Sequence, residues 1–514
     1  MTSAGNPPSE YARRGLDDLQ LGHLRHFDNL SLRLDNDWSL MQGKGFGQDD
    51  FGGYRFQLAY MTYALALTHQ HRLPNAPGVF RPMLERIMQK MLLPEVWSYW
   101  HDVSRGGSVY NAHLGPLSEK WDPVAQDNIM YSAYVQSMAL LHHYLFRDDR
   151  YAQSEALSME HWSFFWGGES RRFDYDENSL NEHIYWQMVS NGYIGVACEP
   201  NCVFQICNQP AILGFRLHDV VNGGSRAQEV VREYENAWAS LGRLGENGHY
   251  NTLVATDSRK VFENALIMPW VDAWNGTLMN MWNRDFVHEH YPSQIRDILV
   301  PGEHGALSIR PTPPRQLMGQ TLKYDWGDFG WTAAWASEMG DADTLAGLLT
   351  HADRYMHPLW ADGGLHYPRN DTSVDAAGNL TLMDPITGNV LLAYARLNVP
   401  DGLHRLYAEP WDDAHFREPM VTEVRGEVIV RVAYFDAGTK TLHVEATTAK
   451  DRHGSQFQVS NLGETAVLAA DGGEASLSDA TALADLGARV VDGDLIVDVR
   501  SGGWHSYAVR LQTG

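Results

Sequence analysis

The feature that most constrains the fold is a change of hydrophobic period near residue 417. From about 17 to 400, apolar residues recur at intervals of three and four, which predicts α-helices. After 417, short segments alternate or run apolar between Gly/Asp-rich turns, which predicts strands; these segments are 428–432, 442–446, 457–459, 495–499 and 507–511. The chain of 514 residues is therefore predicted to divide into a helical domain over 1–412 and a small β-sandwich domain over 413–514.

The helical part contains about twelve amphipathic or apolar segments. They are predicted near 17–41, 54–67, 80–93, 128–146, 151–165, 200–221, 226–241, 262–283, 286–298, 328–339, 342–356 and 384–397. Pro200 fits the first turn of its helix. Hairpins of this number predict six αα units closed into a ring, an (α/α)6 barrel or toroid. The segments 104–125, 166–190, 243–260 and 299–326 are predicted as long loops that shape a site.

Composition excludes several classes of function. A formal net charge of −24 repels nucleic-acid phosphates and anionic lipid heads, so neither is an expected partner. The first residues lack the apolar core of a secretory signal, and no apolar stretch is long enough to span a membrane. The chain has only 3 cysteines, all between 198 and 207, which favours free thiols in a reducing cytoplasm over a disulfide scaffold.

The cysteine segment is the most informative part of the sequence. A thiol at the mouth of a helix feels the positive end of the helix dipole, which favours the thiolate at Cys198, whereas the carboxylate of Glu199 opposes it. The pair therefore suits proton transfer. Cys198 and Cys207 share a cavity only if Cys198 lies in a non-helical entry before Pro200. Alternatively, these cysteines pack as small apolar side chains. Their spacing lacks the paired pattern of a zinc site, so no metal is expected.

Residues 198–208 resemble a segment of the linalool dehydratase-isomerase family. That family has the form Cys-Glu-Pro-x-x-x-Phe-x-x-Cys-Asn, and this sequence reads CEPNCVFQICN with the same spacing. The run QDNIMY at 126–131 is similar to the family's Gln-Asn-Ile-Met-Tyr, with one residue inserted. ASEMGD at 336–341 looks like Ala-Arg-Glu-Met-Gly-Asp, and LHY at 365–367 falls where the family has Leu-Arg-Tyr.

The resemblance implies an (α/α)6 barrel in a ring-shaped homo-oligomer, with a neighbouring subunit near each site. It implies a hydro-lyase and isomerase that needs no cofactor and acts on a small terpenoid-like alcohol, allylic or tertiary. Cys198 and Cys207 match the family's two pocket cysteines, to which acid–base roles are assigned, and Glu199 matches the adjacent acid.

Two departures from the family pattern concern the proton relay. The family's pocket histidine lies three residues after the Asn-Ile-Met-Tyr run, where this chain has Tyr134. A phenol can donate a hydrogen bond but is a poor base at neutral pH. The family also supplies an aspartate and a tyrosine from an N-terminal segment, and Asp35, Asp37, Asp49 and Asp50 are the candidates for the aspartate. Helix capping is the alternative role of Asp49 or Asp50.

An alcohol that loses water develops positive charge, which ring faces in a water-poor pocket stabilise. Six side chains near the matched segments are candidates for binding such a substrate: Tyr54, Met130, Tyr131, Phe204, Tyr250 and Trp326.

A carbohydrate-active enzyme on an α/α toroid is the main alternative, because many such enzymes carry a β-sandwich tail. That chemistry needs two carboxylates across the site, and Asp49, Asp50, Asp328 and Glu199 are the candidates. Paired thiols have no use in a hydrolase. A non-catalytic binding protein is a third possibility.

Overall fold

A computed structural model describes residues 9–43, 53–106, 111–162, 169–317, 320–322, 326–448, 454–463 and 465–512. No helix within these ranges is long and apolar enough to cross a bilayer.

The described residues form seventeen α-helices, most of them in the first four-fifths of the chain. They are α1 (Glu10–Arg14), α2 (Asp18–Ser31), α3 (Gly53–His71), α4 (Pro77–Met91), α5 (Pro94–Trp97), α6 (Tyr99–Val103), α7 (Ile129–Phe146), α8 (Glu177–Ser190), α9 (Gln205–Asn222), α10 (Arg226–Leu241), α11 (Pro269–Met279), α12 (Arg284–Ile298), α13 (Asp328–Glu338), α14 (Ala342–Tyr355), α15 (Leu392–Leu397), α16 (Gly402–Ala408) and α17 (Ala480–Asp485). A π-helical turn, Thr387–Leu391, leads directly into α15.

The strands of the first 400 residues pair as short hairpins or ribbons beside the helices. They are β1 (Leu157–His161), β2 (Arg171–Tyr175), β3 (Cys202–Val203), β4 (Leu253–Ala255), β5 (Val261–Phe262), β6 (Leu299–Pro301), β7 (Leu307–Ile309), β8 (Arg315–Leu317), β9 (Gln320–Leu322), β10 (Leu359–Ala361) and β11 (Gly364–His366).

The remaining strands belong to the C-terminal region. They are β12 (Met420–Arg425), β13 (Val428–Asp436), β14 (Thr441–Thr448), β15 (Gln456–Ser460), β16 (Ala466–Ala470), β17 (Gly473–Ser476), β18 (Ala488–Val491), β19 (Asp494–Asp498) and β20 (His505–Leu511).

Six helices contact one another in cyclic order. Helix α3 packs on α7, then α7 on α9, α9 on α11, α11 on α13, α13 on α15, and α15 returns to α3. These inner helices are buried almost all round. The second helices, α2, α4, α8, α10, α12 and α14, lie outside them, and several show the one-sided apolar face of a surface helix.

Two glycines explain how closely neighbouring inner helices approach. A Cβ on Gly214 of α9 would lie 2.4 Å from the Gln136 side chain of α7, and one on Gly276 of α11 would lie 2.2 Å from the Trp335 indole of α13. A glycine inside a helix costs about 0.5–1 kcal/mol relative to alanine. The close packing of the neighbouring helix's side chain against the glycine offsets that cost.

Hydrogen bonds join the N-terminal ends of neighbouring inner helices. The Asn128 N–H, just before α7, donates to the Cys198 carbonyl, just before α9 (3.2 Å). The Trp270 N–H of α11 donates to Asp328 at the start of α13 (3.1 Å), and the Gly327 N–H donates to Asp384 before α15 (3.1 Å). The inner helices therefore present their N-terminal ends on one side of the ring, and segments 191–204 and 242–268 lead into that side.

The opposite end of the ring is closed by α16, which packs on α3 and α9. The carboxylate of Glu338, at the last turn of α13, accepts hydrogen bonds from the Leu403 N–H (3.0 Å) and the His404 N–H (3.2 Å) of α16. The amides of Asn280 and Asn398 also donate to it. Glu338 is fully buried, so these donors supply the stabilisation that water would otherwise give.

The C-terminal strands form two antiparallel sheets, of order β12-β15-β19-β18 and β13-β14-β20-β16-β17. Their apolar faces share one core, in which the Phe457 and Tyr507 rings meet edge-on at 5.1 Å. Asn75, in the turn between α3 and α4, makes three hydrogen bonds to this region. Its N–H donates to the Ala433 carbonyl, its carbonyl accepts the Val421 N–H, and its side-chain oxygen accepts the Phe435 N–H.

The predicted mainly helical chain with a smaller β component is confirmed, and the five predicted strand segments all lie within or overlap strands of the C-terminal sheets.

One predicted helix, 151–165, is wrong. Residues Leu157–His161 are strand β1, paired with β2, because Leu157 and Met159 are buried in alternation. The helix that fills this position in the ring is α8, within a segment predicted as loop. Asp176 caps it with a capping box, and Leu180, Ile184 and Met188 form its buried face.

Candidate active site

The cysteine segment enters the ring through a tight turn. Cys202 N–H donates to the Glu199 carbonyl at 2.9 Å, and Asn201 has φ +67°. Pro200 and Asn201 thus occupy the central positions of a type II turn, in which proline pre-sets the first and asparagine tolerates positive φ at the second. The prediction that Pro200 begins the helix is wrong, because α9 begins at Gln205.

Asn208 connects this turn to α9. Its side-chain oxygen accepts the Val196 N–H at 2.8 Å, and its side-chain nitrogen donates to the Val196 carbonyl at 3.1 Å. A Cβ at Gly195 would lie 2.5 Å from the Asn208 amide, so glycine is required for this approach. The clamp holds the extended segment against the first turn of the helix, where Cys207 lies.

Cys198 and Cys207 are brought close enough for each thiol to act on the pKa of the other. Both are buried and form no disulfide. Interaction with Cys207 and burial raise the pKa of the Cys198 thiol well above its usual range. Burial raises the pKa of the Cys207 thiol, and interaction with Cys198 acts in the opposite direction.

The expected stabilisation of a Cys198 thiolate by a helix dipole is wrong, because the residue lies seven positions before the first residue of α9 and the dipole effect fades within one turn. The expected effect of Glu199 is confirmed in direction: its charge raises the pKa of both thiols. The pair is therefore neutral near pH 7.

A polar side of the site comes from residues that the sequence analysis did not single out. Arg55, in the first turn of α3, is buried, and its guanidinium carbon lies 4.2 Å from the centroids of both the Phe56 and Tyr99 rings. The Tyr99 hydroxyl donates to Asn128 Oδ1 at 2.5 Å. Arg55 acts electrostatically on both thiols in the direction that favours thiolate.

The other side is a cluster of seven aromatic residues, which we call the aromatic cluster. Its members come from α3, α7, α11, α13 and the turn that leads into α13: Phe56, Tyr60, Tyr63, Tyr134, Trp274, Trp326 and Trp331. Within it, Trp274 Nε1 donates to the Tyr60 hydroxyl at 2.6 Å, and the Tyr134 hydroxyl donates to the same oxygen at 3.5 Å. Burial raises the pKa of Tyr60 and Tyr134, and the electrostatic influence of Cys207 reaches both phenols.

The comparison with family descriptions decides the classification. The family model described as linalool dehydratase/isomerase matches residues 55–373, which is more than half of the chain. The chain belongs to the linalool dehydratase/isomerase family. Membership of the linalool dehydratase/isomerase family places it among enzymes with dehydratase or isomerase activity. The matched range contains Arg55, both cysteines and the aromatic cluster, and it ends before the C-terminal sheets.

Solved structures similar to the chain have low sequence identity. An α-1,6-mannanase from a Salegentibacter species is 12% identical over 76% of this chain and 99% of its own, with a TM-score of 0.42. The Lin0763 protein from Listeria innocua is 10% identical over 74% of this chain and 97% of its own, with a TM-score of 0.43. A possible GH105 family member from Salmonella enterica is 10% identical over 76% and 95%, with a TM-score of 0.42.

The predicted site residues of this linalool dehydratase/isomerase family member fall into three groups. Cys198, Glu199, Cys207, Tyr134 and Trp326 lie at the thiol pair or in the aromatic cluster. Asp49 and Asp50 lie outside the described residues. The remaining candidates lie beside the site or apart from it.

The five remaining candidates are described by the residues that they contact or by their burial. The Tyr131 hydroxyl donates to the Met91 carbonyl of α4 at 3.1 Å. Tyr250 packs in a separate apolar group with Val271, Met279 and Val287. The Tyr54 ring stacks on Trp38 at 4.4 Å. Phe204 precedes α9, half-buried, and its carbonyl accepts from Asn208. Met130 is buried in the first turn of α7.

Asp328 is one of the carboxylates that the carbohydrate alternative would use. Asp328 uses one oxygen to accept the Trp270 N–H (3.1 Å) and the other to accept the Thr312 N–H (3.0 Å). Both oxygens therefore hold backbone groups at the rim of the ring.

A cluster that could hold a cation lies away from the thiols. One ligand atom each of Glu85, His142 and Asp148 lies within 4.8 Å of the others. Arg150 pairs with both carboxylates, and Arg81 pairs with both as well. The arginines already neutralise the acidic groups, so the cluster is an ion-pair network between α4 and the end of α7.

A concave space of about 540 Å³ lies on the outer face of the five-stranded sheet, beyond the family match. Trp504 at its edge lies 4.3 Å below the Arg431 guanidinium, and Asp471 is bonded to His505 and paired with Arg500. The charged groups and the indole of this groove are thus engaged within the chain, and the groove is separate from the thiol pair.

Proposed function

We propose that this enzyme removes water from, or isomerises, a small terpenoid-like alcohol whose hydroxyl is allylic or tertiary, at the Cys198–Cys207 pair. The observation that carries the proposal is a pair of buried, neutral thiols that interact with each other, with a buried arginine and with the aromatic cluster, in a chain of the linalool dehydratase/isomerase family. A neutral acid next to a potential base is what proton transfer to and from one substrate requires.

The step balances without an added oxidant or reductant. Cys198, or the Tyr134 phenol, gives its proton to the substrate hydroxyl, and the C–O bond breaks to release water. Cys207 first gives its own proton to the Cys198 thiolate and then, as a thiolate, takes a proton from the neighbouring carbon; alternatively, Glu199 takes that proton. The C–H electron pair becomes the new C=C bond. In isomerisation, water adds back at the far end of the allylic system and gives its extra proton to the same base. A proton passed from base to acid restores the starting state.

The aromatic cluster has two roles in this scheme. Ring faces attract the positive charge that develops as the hydroxyl leaves, an effect worth roughly 0.5–2 kcal/mol per ring contact. Exclusion of water also limits capture of that charge. Phe56, Trp274 and Trp326 suit both roles because their centroids lie 4.6–5.8 Å from one another. An isoprenoid hydrocarbon fits such a lining better than a sugar does.

We also propose that the helices form an (α/α)6 barrel with a C-terminal β-sandwich over 413–514, and that the enzyme acts as a homo-oligomer in the cytoplasm. The cyclic order of the inner helices supports the barrel. Thiols that act as acid and base need a reducing compartment, which supports the location. Light scattering of the purified chain measures the oligomer directly.

The test uses linalool as the probe under reducing conditions. Gas chromatography detects the triene formed by loss of water and the primary allylic alcohol formed by a 1,3-shift of the hydroxyl. Cys198→Ala and Cys207→Ala should each lose at least about 100-fold in kcat, the scale of a lost acid or base. Cys202→Ala removes a third buried thiol from β3 and serves as the matched control.

Retention of the native rate by both Cys198→Ala and Cys207→Ala, with the same products, would refute the proposal. Hydrolysis of a glycan by the native chain, with no reaction of any allylic alcohol, would favour the carbohydrate alternative instead.

A further inference from the structure

The site contains a buried permanent cation, Arg55, that the proposed acid–base step does not use. Its side chain belongs to the first turn of α3 and is 2% exposed. The guanidinium lies between two rings, 4.2 Å from the centroids of Phe56 and Tyr99. A buried charge acts more strongly on neighbouring ionisable groups than an exposed one does, because little water screens it.

Several titratable groups of the described residues that interact with the two sulfurs would gain negative charge on ionisation. Glu199 acts on both thiols and Cys202 acts on Cys207, and the cysteines in turn act on four tyrosines of α3, α6, α7 and α10: Tyr60, Tyr99, Tyr134 and Tyr234. Arg55 has the opposite charge, which attracts a thiolate. Loss of a proton from either sulfur would otherwise place a second negative charge near Glu199 in a buried site.

Arg55 is also connected to the thiol pair through contacts. Its guanidinium lies over the Tyr99 ring, and the Tyr99 hydroxyl donates to the Asn128 side chain at 2.5 Å. The Asn128 backbone N–H donates to the Cys198 carbonyl at 3.2 Å. These contacts connect the Arg55 guanidinium to the backbone of Cys198 and so keep the two residues in a fixed relative position.

We infer that Arg55 is a positioning residue of the acid–base step, whose charge allows one sulfur of the Cys198–Cys207 pair to give up its proton inside the buried site. The inference rests on the proposed function for the use of the thiols. It adds a positive charge that allows one of two thiols near a carboxylate to lose its proton at neutral pH. Cys198 passes its proton to the substrate hydroxyl, and the thiolate left behind is stabilised by the guanidinium until a proton returns.

The thiolate absorbance of the free enzyme near 240 nm tests this inference without substrate. The titration is run on a Cys202→Ala background, so that the absorbance change of the thiols comes from the pair. Arg55→Met keeps the length of the side chain and removes the charge, and it should move the thiol titration upward by about one pH unit or more. Arg55→Lys keeps the charge and should leave the titration near its native position.

Activity against linalool provides the second readout. Arg55→Met should lower kcat with little change in KM and move the rising limb of the pH profile to higher pH, and Arg55→Lys should restore most of the rate. An unchanged thiol titration in Arg55→Met would overturn the inference. An equal shift in Arg55→Lys would overturn it too, because the charge would then not be the cause.

Tyr99→Phe keeps the inference testable if neutral substitutions at 55 do not fold. It retains the ring under the guanidinium and removes the hydroxyl that bonds Asn128, so the cation is held less firmly and the thiol titration should move upward by less than about one pH unit. A titration that stays native in this variant would contradict the positioning role. The two proposals fail separately: native rates in both Cys198→Ala and Cys207→Ala refute the function, whereas the substrate-free titration tests Arg55 alone.

Discussion

The Asn208 side chain bonds both the N–H and the carbonyl of Val196, at 2.8 and 3.1 Å. It thereby fixes the extended segment that carries Cys198 to the helix that carries Cys207. The two thiols are nine residues apart in the chain. A single amide of α9 determines that they meet.

Asn208→Asp tests the clamp with nearly constant volume. A carboxylate still accepts the Val196 N–H but cannot donate to the Val196 carbonyl, which leaves a buried acceptor without its donor. We expect a loss of about 1–3 kcal/mol in the free energy of unfolding and a fall in kcat of tenfold or more. Urea unfolding and the linalool assay measure the two effects. Asn236→Asp, at an exposed position of α10, is a control that should change neither by much.

Tyr134→Phe tests the group that replaces the family's pocket histidine. The hydroxyl makes one long hydrogen bond, 3.5 Å to Tyr60, so its loss should cost less than about 1 kcal/mol in stability. If the phenol helps to protonate the substrate, kcat falls by about 10–100-fold with KM little changed. A native kcat in a folded Tyr134→Phe enzyme would leave Cys198 as the acid and remove Tyr134 from the mechanism.

Glu338→Gln tests the closure of the far end of the ring. The amide cannot accept all the donors that surround Glu338, and its own N–H groups face the donating Asn280 and Asn398 amides. We expect a loss of about 2–4 kcal/mol in stability, on the scale of a disrupted buried network. Thermal and urea unfolding measure it, with exposed Glu289→Gln as the control. An equal, small effect in both variants would contradict the assigned role.

Acid should destabilise the fold through buried histidines. Burial lowers the pKa of His69 to about 3 and that of His71 to about 4, from 6.5. The unfolded chain takes up protons below pH 6.5 while the folded chain does not, so this stability is present above about 6.5 and declines as pH falls toward 3–4. The slope approaches about 1.4 kcal/mol per pH unit for each histidine.

Urea unfolding at pH 7 and pH 5 measures this loss. His69→Asn keeps a donor for the Leu73 carbonyl and removes the titrating ring, so its stability should depend less steeply on pH than that of the native chain. The same slope in both proteins would exclude His69 as a contributor.

The sequence predicts elements well where one period dominates. The helices α7, α10 and α13 and the strands β13, β14 and β20 have strong apolar patterns, and their positions agree with the predictions. The error at 151–165 arose because Leu157 and Met159 fit both a helical and an alternating pattern over so short a stretch. Only the pairing with β2, which depends on residues 171–175, distinguishes them.

The site is predictable where its members are close in the chain. Cys198, Glu199 and Cys207 share one segment, and the requirement of a non-helical entry at Cys198 is met by the turn at Pro200. Arg55 and Tyr60 are brought to the site from α3 by ring closure, which no local pattern encodes. One signal was available, since Phe56, Tyr60 and Tyr63 repeat at helical intervals on a face that includes no charged residue.

The central claim is that the Cys198–Cys207 pair handles the substrate hydroxyl, and a crystal structure of the enzyme with bound linalool tests it most directly. The account predicts the alcohol oxygen within hydrogen-bond reach of the Cys198 sulfur and the hydrocarbon against Phe56 and Trp274. Linalool bound elsewhere, with both sulfurs enclosed in packing and out of reach of its oxygen, would contradict the account.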